Sequence, residues 1–132
     1  MKEGDALPEL KVTPDRHLTV RYAGASGDFN PIHIDEEFAQ SVGLPGRILH
    51  GLWTMAQVAR AMTEAAGDPA ALKRLEVAFR GMGRPEQEIT VTSTVREVRE
   101  DGTAIVIANA EQGGKKIVRG AQAELAPPYH SA

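Results

Sequence analysis

Cysteine is absent from this chain of 132 residues, which excludes disulfide bonds and thiolate catalysis and fits a cytoplasmic location. Apolar runs long enough to span a bilayer are missing too, so no membrane partner is expected. The start, "MKEGDALPEL", lacks the apolar core of a secretory signal, and no leader is expected there. Excess positive charge is also lacking: the formal net charge is −3, the sequence pI is near 5.8, and the fifteen Lys and Arg residues are scattered along the chain. A nucleic-acid partner is therefore not expected. No low-complexity linker or internal repeat divides the sequence, and its 42% hydrophobic and 25% charged content is that of an ordinary globular chain. Residues 1–132 are expected to form one domain around one core.

What is there falls into three zones. In the first, a short helix is expected from about Arg16 to Ala25, capped by Thr13 or Asp15 and left through a glycine-rich exit. Pro31 biases Asn30 away from helical backbone, so "GDFNPIH" must be an ordered loop. "DEEFAQSVG" then predicts a helix capped by Asp35 and stopped at Gly43, with Asp35, Glu36 and Glu37 favouring its positive start. The second zone, "HGLWTMAQVARAMTEAAG", is apolar around nearly the whole helical circumference, which marks a buried helix in which Trp53 and Met55 are plain core.

The third zone holds four strand-like runs: "LKRLEVAFRGM", "QEITVTSTVREV", "TAIVIANAEQ" and "KKIVRGAQAEL". Asp101-Gly102 and Gly113-Gly114 are hairpin dipeptides between the later ones, so an antiparallel meander is expected. Helices first and a sheet after make an α+β pattern, with the sheet wrapped around the buried helix in a single hot dog.

The stretch "YAGASGDFNPIHIDEEFAQSVGLPGRILHGLWTM" resembles the MaoC-like dehydratases, or (R)-specific enoyl-thioester hydratases. The specific motifs are "SGDFNPIH" and the weaker "HG", and the resemblance runs over roughly residues 4 to 125 in the order of elements. It is greatest to catalytic subunits of (3R)-hydroxyacyl-ACP dehydratases, down to "GDPAAL" and "GGKKI". The resemblance implies a hot-dog fold and a catalytic pair at Asp28 and His33, Asp28 as base toward water and His33 holding the same water and shuttling its proton. It implies acyl-CoA or acyl-ACP substrates and no cofactor or metal.

The chemistry fits that mapping. Adding water to an α,β-unsaturated thioester needs a base for the water and a proton for the α-carbon, both at one small site. A carboxylate and an imidazole five positions apart on a proline-stiffened loop can address one water. Asn30 is the expected support, anchoring the loop or orienting Asp28 or His33. Gly51, opening the buried helix, is the candidate for stabilising the enolate-like oxygen, because backbone N–H groups there lack internal partners and a missing side chain admits the thioester. The plainer reading of Gly51 is a helix-start glycine. His50 is expected to be structural, bonding nearby backbone.

Two rival readings come from the same residues. His33, Asp35 and His50 mimic the two-histidine, one-carboxylate set of iron oxygenases, but such sites sit in barrels of many strands, and here a helix follows at once. A non-catalytic or partner-dependent acyl-binding subunit is the other, against which the intact Asp28, Asn30 and His33 argue. One short hot dog has little room for an acyl chain, so a homodimer, or a heterodimer with another hot-dog subunit, is expected. Arg47, Lys73 and Arg74 can meet a carrier phosphate, although a solvated surface is the plainer reading.

Overall fold

Alternating apolar residues in the second half of the chain build the sheet. A computed structural model describes residues 1–129; residues 130–132 of the expected domain lie outside the described residues. In β3 (Ile89–Val98), Ile89, Val91, Ser93 and Val95 point inward. In β4 (Ala104–Gln112) and β5 (Lys115–Leu125) the inward positions carry Val106, Ala108, Val118 and Leu125. These three strands form the expected antiparallel meander. Between β4 and β5, Gly113 and Gly114 have φ of 59° and 76°, the pair of positive values that a tight two-residue hairpin requires. The Asp101-Gly102 turn is longer, because pairing resumes only at Val98 and Ala104. There Asp101 accepts the Thr103 N–H at 2.8 Å, a bond that holds its carboxyl below the ordinary carboxylate value.

The fourth expected strand is β2 (Leu72–Glu76), which stops at Glu76 rather than running to Met82 and pairs with β5, not β3. A further short strand, β1 (Leu10–Val12), pairs with β3 and has no counterpart among the expected runs. The sheet order is therefore β1-β3-β4-β5-β2, and it curls around α3 (Gly51–Ala66). This is the hot-dog arrangement expected from the order of elements.

Ahead of α3 lie α1 (Leu18–Ser26) and α2 (Glu36–Ser41). Neither Thr13 nor Asp15 caps α1; His17 holds that position, and Asp15 instead accepts the His17 N–H and pairs with Arg21. Asp35 caps α2 as expected by accepting the Phe38 N–H at 3.0 Å. The core packs Val58, Ala61, Met62 and Ala66 of α3 against Ile89, Val91, Val95, Val106 and Leu125. The first turns of α3 depart from the all-round burial expected of it: Leu52 is 64% exposed, Ala56 is exposed, and Trp53 and Met55 are only half-buried.

Candidate active site

The loop between α1 and α2 is held by its own side chains. Gly27, in left-handed backbone at φ 79°, ends α1 and turns the chain outward. Ser26 Oγ then accepts the Asp28 N–H at 3.2 Å, Asp28 Oδ1 accepts the Asn30 N–H at 3.2 Å, and Asn30 Oδ1 accepts the Ile32 N–H at 3.2 Å. Each oxygen serves the backbone two residues on, which satisfies amides that neither flanking helix can reach. Asn30 thus anchors the loop, by capping the 3₁₀ turn Pro31–His33.

That turn carries His33 into a buried position, 7% exposed. Its Nδ1–H donates to the Ile48 carbonyl at 2.9 Å. A carbonyl oxygen only accepts, so the proton of the neutral ring is fixed on Nδ1 and Nε2 keeps a free lone pair. Nε2 lies 3.7 Å from Asp28 Oδ2, on a carboxylate whose side chain is 54% exposed. Two acceptors at that spacing cannot bond each other, but one water with two O–H groups can serve both.

His50 completes the cluster. Its Nε2–H donates to the Asp28 carbonyl at 3.0 Å, and its ring stacks on His33 with centroids 3.8 Å apart and planes 22° from parallel. Tyr22 of α1 packs against the same imidazole, ring centroids 4.7 Å apart. His50 therefore ties the start of α3 to the Asp28 loop instead of capping the helix, whose first turn has no side-chain cap. Gly51 follows it, lining a recess of about 170 Å³ with His33 and a second of about 300 Å³ with Asp28 and His50. Phe79 stands between the two and lines both; a Cβ on Gly51 would lie 3.3 Å from its ring. A methyl at position 51 would therefore crowd that ring.

The set His33, Asp35 and His50 is not brought together, because the Asp35 carboxylate is spent on the α2 cap. Asp28 takes the place of Asp35, its donor atom and those of both histidines lying within 4.8 Å of one another. Each histidine commits one nitrogen to a carbonyl, which leaves one nitrogen of each ring for a further partner. With both rings anchored through backbone carbonyls, the cluster can serve as a hydrogen-bonded relay.

Tyr22, Ile48 and Phe79 join the site without having been singled out by sequence reasoning. Tyr22 opens the motif string and carries a signal; Phe79 carries none, because its place depends on a bridge to Val118 across the sheet. Arg47 is neither solvated nor free for a phosphate: it pairs with Glu36 at 3.1 Å and donates to the Arg16 carbonyl. Arg74 pairs with Glu76, and Lys73 stays exposed. Among the described residues no helix is long and apolar enough to cross a membrane.

The chain is 33% identical, over 92% of its length, to the peroxisomal hydratase-dehydrogenase-epimerase of Neurospora crassa, of which it spans 12%. It spans only a small part of the curated relatives it matches. Among solved structures it superposes on a MaoC-like dehydratase with a TM-score of 0.90 and 34% identity, covering 96% of this chain and 40% of that one. The ChsH1-ChsH2 complex from Mycobacterium tuberculosis follows with a TM-score of 0.83 and 27% identity, covering 94% of this chain and 96% of that one. The same residues that set the loop, the pair and the helix start lie within the match of the MaoC like domain to residues 2–115, and the chain belongs to that family.

Proposed function

We propose that this chain hydrates trans-2-enoyl thioesters, carried by coenzyme A or acyl carrier protein, to (3R)-hydroxyacyl thioesters, or runs the reverse dehydration. The observation that carries this reading is the 3.7 Å gap between Asp28 Oδ2 and His33 Nε2, two acceptors aimed at one point. A water held there loses a proton to the pair as its oxygen bonds the β-carbon. The proton regained by the α-carbon comes from the same pair, so one water molecule is consumed and the pair is restored. Addition is then syn, because one group of residues on one face handles both oxygen and proton. Gly51 N–H, in an uncapped first turn at the positive end of α3, supports the enolate-like oxygen. Asn30 and His50 position Asp28, one through its caps and the other through the Asp28 carbonyl.

Residues 1–132 act as one domain in this reading, and the cysteine-free sequence favours the cytoplasm. A second hot-dog chain covers the site. Phe29, Leu52, Phe79 and Met82 are 59%, 64%, 47% and 59% exposed around it, a concentration of bare apolar surface that a lone chain does not need. The partner is a second copy or an unlike chain. A partner-dependent acyl-binding role is the alternative that this exposed rim favours.

The test is hydration of enoyl-CoA substrates of increasing length by the purified chain alone, with solution scattering beside it. Turnover together with a dimer supports the reading. No turnover at any length, alone or with an added hot-dog partner, overturns it.

A further inference from the structure

Six of the fifteen cationic side chains are ion-paired among the described residues: Arg21, Arg47, Arg60, Arg74, Arg84 and Arg99. Of those left unpaired, Arg80, Lys115, Lys116 and Arg119 converge on one cleft of about 620 Å³, where Glu111 is the only acidic lining residue among those described. Such clustering runs against the charge of the chain, which is −3 overall. Like charges repel, so four unpaired cations side by side weaken the fold slightly unless an anion joins them.

The cleft is connected to the site. Arg80 and Gly81 donate backbone N–H bonds to the Ile117 carbonyl at 2.9 and 3.3 Å, which zips the strip 79–82 along β5. On that strip Phe79 lines the two recesses at His33 and Asp28, while its neighbour Arg80 lines the cleft. A further recess of about 340 Å³ joins them, sharing Gly81, Met82 and Ile117 with the His33 recess and Lys115 with the cleft. In the Asp28 recess the other walls are Tyr22, Ser26, Asp28, His50, Gly51 and Leu52, with no lysine or arginine among them.

We propose that the Arg80, Lys115, Lys116 and Arg119 cleft binds the diphosphate and nucleotide of a coenzyme A thioester, whose pantetheine arm crosses Gly81 and Met82 to reach His33 and Gly51. The inference rests on the enoyl-thioester reading above and selects its carrier. A carrier protein presents a single phosphodiester at the end of its arm, which one or two cations satisfy. Four cations around a volume this large match several phosphates and a base. The polarity also orients the substrate: carrier toward the β4–β5 hairpin, acyl chain toward Leu52.

The test compares an enoyl-CoA with the corresponding enoyl-pantetheine thioester, which lacks the nucleotide, in the wild type and in Lys115→Gln/Lys116→Gln and Arg119→Gln. The kcat/KM ratio of the CoA to the pantetheine substrate should fall about tenfold for each charge-assisted hydrogen bond removed, through KM, and the salt dependence of that ratio should weaken. Lys11→Gln, an exposed lysine on β1 outside the cleft, should leave the ratio as it was. In parallel, calorimetry with 3′,5′-ADP, the nucleotide end alone, should show binding to the wild type and loss of it in the double variant. An unchanged ratio, or 3′,5′-ADP binding that survives both variants, overturns the cleft. Losses seen with an acyl carrier protein thioester and not with CoA overturn it in favour of a protein-docking face. If the wild type hydrates neither thioester, the enzymatic reading fails, and the 3′,5′-ADP measurement still decides the cleft.

Discussion

The last turns of α3 bury Ala61, Met62, Ala65 and Ala66, and Gly67 closes them in left-handed backbone at φ 72°, its N–H bonded to Thr63 and Glu64 carbonyls. The first turn of the same helix has no side-chain cap, carries Leu52 at 64% exposure and opens onto two recesses. One end is finished as scaffold; the other is left with unsatisfied amides and apolar surface. The difference separates a packed half from an open one: the sheet fixes the helix from its C-terminal half, which leaves the N-terminal amides available for the proposed chemistry.

The comparison is broken most severely by emptying the buried end. Met62→Ala should lower unfolding free energy by about 2–5 kcal/mol, read from urea melts, because Met62 is fully buried. Its folded fraction should keep a near-normal kcat. At the open end the reverse holds. Asp28→Asn should cut hydration by at least ~10²-fold while the urea midpoint stays within error, since it removes the base and keeps the size. A large loss of stability in that variant would mean the loop is scaffold after all.

Smaller changes sharpen the contrast. Gly51→Ala places a methyl 3.3 Å from the Phe79 ring and at the mouth of both recesses. A fall in kcat on the order of tenfold is expected, well short of losing an oxyanion donor altogether, with little change in thermal midpoint. Gly67→Ala, by contrast, should cost about 1 kcal/mol of stability through its left-handed φ and leave kcat alone.

The parts legible in the sequence are those written in local chemistry. Pro31, Asn30 and the Asp35 cap announce an ordered turn and a helix start within a few residues, and the Gly113-Gly114 hairpin is equally local. What the sequence hides depends on distant pairing. The docking of β2 on β5 follows from the excursion between Glu76 and Ile89, and it fixes Phe79 beside the site and Arg80 beside Lys116. The short β1 has too few residues to show a period. The apolar circumference of α3 predicts burial within one chain, whereas Leu52 and Ala56 lie bare in it. Periodicity records which faces avoid water, not which molecule covers them. At the site, Asp28 and His33 are legible from spacing and resemblance, but the Ile48 carbonyl that fixes the tautomer is a backbone group no motif displays.

One water shared by Asp28 and His33 is the centre of the proposed mechanism, and the stereochemistry of its addition is the most direct test. Crotonyl-CoA should be hydrated in deuterated water and the product resolved by chiral chromatography and proton NMR. The shared water predicts deuterium and oxygen added to the same face, and the family resemblance adds the expectation of (3R)-hydroxybutyryl-CoA; anti addition would contradict the shared water, and a (3S) product the family-based reading.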